Sequence, residues 1–401
     1  MTSKIRTFFE DDLEDIAPTP WQRVLRSLAK NRLAMGGGVF LVLFFALSFA
    51  GWWGTSNFEF LKQRTYFSWI FKAGLLPEKP LFDSSQVRLP DRLKGPLTRP
   101  NAETVPRKAF PIFGVYLFGT DELGRDVLSR MLEGAKVAMA VGFVAVGISI
   151  ALGVVLGGIA GFYGERQPGM APTILAAMGA IAAWFIPVGL EGWWFFGLEI
   201  ILVLVGAATG IAVEKVPTLV YLEKLRLTRV DTIFISLVDL QLSFPTFFLI
   251  LTVIAVLPPS IWNIMIVIGI TGWVGPARFV RAEILSLREQ PFIESARAIG
   301  ANDMRLIFLH LVPNSMAPVM VSATIGIAGA ILTEAGLSFL GFGVPPPDAT
   351  WGNILSDGKK YLFDAPWLTF IPGIAILLVV LSFNLFGEGL RDALNPRSKP
   401  E

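Results

Sequence analysis

Long stretches free of Asp, Glu, Lys and Arg recur along this chain and constrain its fold more than any other feature. They cover residues 33–58, 137–164, 167–190, 240–277, 306–333 and 365–387, and residues 192–213 are interrupted only by Glu199. A bilayer core of about 30 Å needs ~20 mostly apolar helical residues to cross it. Residues 240–277 are long enough for two helices, with Pro258, Pro259 and Ser260 as the turn between them. Ile233 extends the first of these backwards past Asp239, and the span within 306–333 is expected to start at Met316. The pattern predicts eight candidate spans. Composition agrees: of 401 residues, 53% are hydrophobic and 16% charged, and mean hydropathy is +0.60, whereas soluble domains carry roughly 25% charged residues. This argues against a soluble globular enzyme and excludes a disordered chain. A net charge of +2 gives no sign of a nucleic-acid surface. The absence of cysteine removes disulfides, thiolate metal sites and cysteine nucleophiles, and His310, the single histidine, cannot form a multi-histidine metal site.

The first span does not read as a cleavable leader, because its preceding segment carries Glu10, Asp11, Asp12, Glu14 and Asp15 and its apolar run is too long. Thr19 and Pro20 read as N-cap and first helical residue. Trp21, Val24, Leu25 and Leu28 then share a face flanked by Arg23, Arg26 and Lys30, which predicts an interfacial helix; a soluble N-terminal turn is the other reading. Orientation follows from Lys and Arg in short loops. With the N-terminus in the cytoplasm, Arg278, Arg281, Arg288, Arg297, Arg305 and Arg391 lie inside, and the short outer loops carry only Lys359 and Lys360. Arg130 and Lys136 run against this assignment. Residues 59–112, rich in Pro and mixed charge, read as an extracytoplasmic loop or cap.

Between Arg278 and Pro313 the sequence becomes amphipathic. Phe292, Ala296 and Ile299 fall on one helical face, with Glu289, Glu294 and Arg297 elsewhere. Gly300 is placed to end that helix in a left-handed conformation, and Asn302 or Asp303 can cap a second short helix. Two short amphipathic helices joined by a glycine kink suit a groove on a soluble partner.

Here the sequence resembles a known family. Glu294-Ser295-Ala296, then Gly300, then His310-Leu311-Val312-Pro313 is similar to the EAA loop of bacterial ABC importer permeases, with Ser295, His310 and Val312 as departures. Gly119-Thr120-Asp121-Glu122-Leu123-Gly124-Arg125-Asp126-Val127-Leu128-Ser129-Arg130 resembles the entry to a core span of the dipeptide/oligopeptide/nickel subfamily. Leu337-Ser338-Phe339-Leu340-Gly341-Phe342-Gly343, with Pro346, Trp351 and Gly352, resembles its outer loop. Residues 384–397 resemble its C-terminus, with Glu388 and Asn395 where Asp is usual. These motifs keep the family's order over about two thirds of the chain.

The resemblance implies an all-α polytopic membrane protein: a six-span type I importer permease core, here the second permease subunit, in the bacterial inner membrane. Gly161-Phe162-Tyr163-Gly164 and Asp231 match segments that are nearly adjacent in the family, so residues 165–230 read as an inserted two-helix hairpin. That makes about eight spans with both termini cytoplasmic. The domains are then a cytoplasmic segment 1–32, a first span 33–58, the loop 59–112, and a permease core 113–401 holding the hairpin and a cytoplasmic coupling loop 278–313. Implied partners are a second homologous permease, two cytoplasmic ABC ATPases and an extracytoplasmic substrate-binding protein. The chain has no Walker A sequence of its own, and no cofactor is implied. Glu294, Ser295, Ala296, Gly300 and Asp303 are the implied ATPase-coupling residues.

Asp239 and Glu334 are intramembrane carboxylates, where charge is expensive; lining a hydrated translocation pathway and capping a structural network are both open. Ser236 stands where the family has an Arg, which puts an inherited ion pair for Asp239 in doubt. Glu199 suits a lipid interface. Gly153, Gly157 and Gly161 form a stripe that allows close helix packing, and His310 is expected to pack or hydrogen-bond beside the loop. A proton-coupled secondary transporter is the alternative, although it would need inverted repeats and a relay of intramembrane acids and histidines. An intramembrane enzyme has no supporting motif. Peptides, nickel, opines and oligosaccharides all remain open as substrates.

Overall fold

The structure, a computed structural model, describes residues 20–55, 82–101, 111, 113–164 and 230–394. Among them the chain is helical, with two isolated β-bridges, Thr98–Tyr116 and Thr120–Asp126, as the only extended pairing. The helices are α1 (Pro20–Lys30), α2 (Arg32–Thr55), α3 (Val127–Tyr163), α4 (Val230–Leu242), α5 (Thr246–Val256), α6 (Ile261–Thr271), α7 (Val274–Leu287), α8 (Pro291–Ala298), α9 (Met316–Phe339), α10 (Trp351–Gly358) and α11 (Trp367–Leu394). Among the described residues five apolar helical stretches are long enough to cross a membrane, and a sixth counts if α4 and α5 form one bent span. The two spans expected in 167–190 and 192–213, with Glu199, lie outside the described residues. So do most of the 59–112 loop and the tail from Asn395.

The sequence expectation is met at Met316, where α9 starts, and at Ser260, whose Oγ accepts from the Trp262 N–H and caps α6. It is corrected at two places. Residues 233–256 are not one straight helix: α4 and α5 meet at 77°. The break falls at Ser243-Phe244-Pro245, where proline supplies no N–H and its ring excludes the preceding residues from helix. Helix α3 also starts ten residues before the apolar run at 137, at Val127. Asp126 caps it, its carboxylate accepting from Ser129 N–H at 3.2 Å and Ser129 Oγ at 2.6 Å.

The chain divides into two compact units, and both α3 and α9 contribute to each. The first holds α1, α2, α10, α11, the start of α3 and residues 320–336 of α9. Asn31 Oδ1 accepts from the N–H groups of Leu33 and Ala34, both at 3.1 Å, and restarts the chain as α2. Phe44 is buried against Trp351 and Phe383, with ring centroids 5.9 and 6.3 Å away.

The charged motif at 119–130 forms a buried network in this unit. The Asp121 carboxylate accepts from Leu123 N–H and Arg125 N–H at 2.9 Å, from Arg125 Nε at 2.6 Å and from Arg130 Nη1 at 2.7 Å. Arg130 also reaches Asp357 at 3.0 Å and Asn353 Oδ1 at 3.2 Å, which ties α3 to α10. Glu133 accepts from Ser84 Oγ and Ala349 N–H and lies 3.5 Å from Lys136. The two cations that ran against the charge-based orientation are thus each paired with a carboxylate. Asp91, fully buried, accepts from Tyr116 Oη at 2.7 Å and Asn101 N–H at 3.1 Å, with Lys94 at 2.6 Å. Burial pushes its carboxyl up, but these hydrogen bonds outweigh burial and hold it below its ordinary value.

The second unit holds the rest of α3, α4 through α8, and the start of α9. Its core joins Phe162, Val280, Ile284, Ile293, Leu306, Ile307, Leu311 and Val319. The Gly153, Gly157 and Gly161 stripe of α3 lies against α7, as expected for close packing. A Cβ at Gly157 would sit 2.3 Å from the Ala277 carbonyl oxygen, and one at Gly161 2.9 Å from that of Arg281.

Candidate functional site

The segment from α7 to α9 is built as a corner, a helix, a kink and a second helix. Three residues, Arg288 to Gln290, separate α7 from α8. Pro291 opens α8 at a position where its missing N–H costs nothing. Helix α8 ends in a Schellman arrangement: Gly300 N–H donates to Arg297 O at 2.9 Å and Ala301 N–H to Ala296 O at 3.1 Å. Gly300 has φ +94, as its spacing predicted. Of the two possible caps for the next helix, Asn302 is used; its Oδ1 accepts from Arg305 N–H at 2.8 Å. That helix begins as Asp303–Arg305, passes through a π-helical stretch, Leu306–Leu311, and ends as Val312–Asn314. The wider turn coincides with Pro313, which has no N–H to give to the carbonyl four residues back. His310 sits half-buried in this stretch, and its carbonyl accepts from Asn314 Nδ2.

The expected grouping of Phe292, Ala296 and Ile299 on one face is corrected. Ile293, fully buried, and Ala296 face the unit's own core, together with Ala301, Leu306, Ile307 and Leu311. Phe292 and Ile299 face out, Ile299 at 89% exposure, and Met304, Phe308 and Leu309 are also exposed. The cause is a one-residue rotation: α8 turns the Ile293–Ala296 pair, spaced by three, inward. Glu294 and Ser295 are exposed, with Ser295 Oγ donating to Pro291 O at 2.9 Å; Asp303 is half-buried. The segment therefore carries exposed apolar residues on α8 and on the helix after it, while Ile293, Leu306, Ile307 and Leu311 pack into a core. Exposed apolar patches of this kind mark interaction surfaces.

Elsewhere, Asp239 is exposed on α4 and Glu334 is buried on α9, at 2% exposure. Asp239 belongs to the second unit and Glu334 to the first. Sequence reading quoted the 119–130 motif for its likeness to a family and missed its ion-pair network. The signal was present, since alternating Asp and Arg beside an apolar span must pair or be solvated.

The family described as binding-protein-dependent transport system inner membrane component matches residues 218–400. The N-terminal TM domain of oligopeptide transport permease C matches residues 19–63. The chain is 31% identical over 386 residues to the dipeptide transport system permease protein DppC of Alkalihalophilus pseudofirmus, covering 96% of this chain and 92% of that protein. The chain belongs to the dipeptide/oligopeptide permease family of ABC transporters. The oligopeptide transport system permease protein OppC of Bacillus subtilis is 31% identical over 70% of this chain and 71% of its own length. The glutathione transport system permease protein GsiD of Escherichia coli is 33% identical over 70% and 72%. As an ABC permease of this family, the chain is a multi-pass inner-membrane protein, and it is a transport subunit in a family whose members are non-catalytic.

Gly300 offers a clean test of the loop's geometry. A Cβ there meets nothing within 4 Å, so a substitution acts through backbone strain alone. Gly300→Val is expected to cost about 1–2 kcal/mol of local order and, under the coupling role proposed below, to lower substrate-stimulated ATP hydrolysis in a reconstituted transporter severalfold. Gly300→Asn, which tolerates the left-handed region, should keep most of it. Equal stimulation in both variants would show that the turn is not needed.

Proposed function

We propose that this permease imports di- or oligopeptides, forming the translocation pathway with a second homologous permease. ATP would be hydrolysed by two cytoplasmic ABC ATPases, with substrate delivered by an extracytoplasmic binding protein. In this reading the 278–313 loop is cytoplasmic and couples to the ATPases. The single observation that carries it is the exposed strip Phe292, Ile299, Met304, Phe308 and Leu309 on a helix pair pinned by Ile293. A soluble partner's groove would bury that strip, and an ATPase closure would then move the pinned block as a rigid body. Glu294 is exposed beside the strip and can pair with a basic residue of the ATPase; Gly300 aims the second helix. Asp239, exposed on a bent membrane helix, fits a pathway-lining role, whereas the buried Glu334 fits a structural one. The names of the relatives support a peptide substrate, and the family assignment does not favour the proton-coupled alternative.

Co-purification of the native complex with its binding protein, followed by identification of the bound ligand, tests the substrate. Recovery of a peptide is expected; recovery of a nickel chelate, an opine or an oligosaccharide overturns the peptide assignment. Orientation is tested on the naturally cysteine-free chain with Ser286→Cys. That cysteine should resist a membrane-impermeant thiol reagent applied from outside, and external labelling would reverse the topology.

Residues 165–230 would be peripheral to transport. Their flanks meet: Asp231 N–H donates to Gly164 O at 3.3 Å. Excising 167–213, which leaves the family-matched residues from 218 in place, and joining the ends with a short linker should leave assembled complexes that still transport. Total loss of transport in a well-assembled complex would give the segment a direct part in the cycle.

A further inference from the structure

We infer that Arg281 and Arg288 are positioning residues for energy coupling: they hold α7, and with it the corner leading to α8, in fixed register against α3 and α4. This rests on the coupling role proposed for the α8 loop. Arg281 on α7 and Arg288, the helical residue that caps its end, lie seven residues apart, two turns of helix, and so on the same side. Arg281 Nε and Nη2 both lie 2.6 Å from Asp231 Oδ1 in the first turn of α4. Its guanidinium also sits 5.8 Å from the centre of the Phe234 ring, one turn further along. Arg288 Nη1 donates to the carbonyls of Gly161 and Phe162, at 3.3 and 3.5 Å. Those carbonyls are in the last turn of α3, where the helix dipole favours a cation. Gly164, at φ +43, leaves room for it; a Cβ there would fall 2.6 Å from Arg288 Nη1.

Apolar packing alone would not set this register. Ile284, Ile293, Phe162 and Leu306 keep the helix faces together, but burial is non-directional, and the glycine stripe of α3 offers no side chain to resist a twist of α7. Charge-assisted hydrogen bonds are directional. They stand at the two places where a twist would show first: beside the corner at Arg288, and two turns inside at Arg281. Both arginines are partly exposed, with side-chain exposures of 24% and 28%. Pairs of this kind add little to stability. The clamp's contribution is therefore expected in the transmission of movement, and removing it should leave a folded protein.

The test uses the whole transporter, reconstituted with its partners in cysteine-free form. Spin labels are placed through Ser236→Cys on α4 and Ala298→Cys on α8, both exposed, in otherwise wild-type, Arg281→Gln, Arg288→Gln and doubly substituted chains. With the native arginines the label distance should be the same in nucleotide-free and vanadate-trapped states, because the unit moves as one body. Without them the distance should change on trapping, the ATPases should stay bound, and substrate moved per ATP should fall roughly two- to thirtyfold. The exchanged pair Arg281→Asp with Asp231→Arg should restore much of the ratio, and Arg281→Lys should fall between. An unchanged distance and a normal ratio in the double variant overturn the clamp. A lowered ratio with an unchanged distance also overturns it. Ile299→Asp, run in parallel, isolates the reading beneath it. If that variant keeps its ATPases and full transport, the coupling role of the loop fails; if it loses them while the arginine variants stay normal, only the clamp fails.

Discussion

Asp121→Ala is expected to remove about 1–3 kcal/mol of stability, because two part-buried turn amides lose their acceptor and Arg125 and Arg130 each lose one of two carboxylate partners. The Asp121 side chain is fully inaccessible and that of Arg130 is 3% exposed. Four donors converge on Asp121: two backbone N–H groups of its own turn and the side chains of Arg125 and Arg130. After the substitution Arg130 keeps Asp357 and Asn353, while the Leu123 and Arg125 amides lose their acceptor. The apparent unfolding temperature of detergent-purified protein should drop on the order of 5–10 °C, together with the yield of monodisperse material. Asp121→Asn keeps an oxygen for the turn and loses the charge, so it should fall between. An unfolding temperature for Asp121→Ala within error of the wild type would mean that the network is not holding the α3 entry to α10.

Gly157→Leu is expected to be the most damaging single change in the second unit. A Cβ alone at Gly157 would stand 2.3 Å from the Ala277 carbonyl oxygen and 3.0 Å from its Cα. These are backbone atoms and cannot rotate away, so α3 and α7 must separate. Overpacking costs typically about 1–3 kcal/mol even where side chains can adjust. Displacing α7 would also draw Arg281 away from Asp231 and Arg288 away from the end of α3. Gly147, on the same helix, is the control: nothing lies within 4 Å of its Cβ position. Gly147→Ala should be neutral or slightly stabilising, since alanine favours helix over glycine by about 1 kcal/mol. Thermal unfolding of both variants, read beside ATPase co-purification, checks the contrast. Similar behaviour at 147 and 157 would show that the close approach of α3 and α7 is not what holds the unit.

Much of the membrane architecture was legible because lipid imposes a one-dimensional rule. A span must be long, apolar and uncharged, and those properties can be read along the chain without knowing any contact. The starts of α6 and α9, the Gly300 turn and the close-packing use of the glycine stripe were readable for a similar reason, since a cap, a positive φ and an absent side chain act locally. The break at Pro245 had its local signal in Ser243-Phe244-Pro245, but its 77° bend depends on what the two halves pack against.

Charges and faces behaved differently. By itself the sequence determined that Asp121, Arg125, Asp126 and Arg130 stand together at the edge of a span. Only the tertiary structure decided that Asp121 is the hub and that Asp357, more than two hundred residues away, completes it. It likewise decided that Ala296 turns inward with Ile293 while Phe292 and Ile299 turn out, and that Arg281 and Arg288 fasten α7 to two other helices. The physical reason is common to all three. Helical periodicity names the residues that share a face, but an amphipathic helix with apolar residues on two sides does not say which side its own core will claim. Likewise a charge near a membrane demands a partner, but the partner's identity is a distance in space, and that is settled only when the chain has folded.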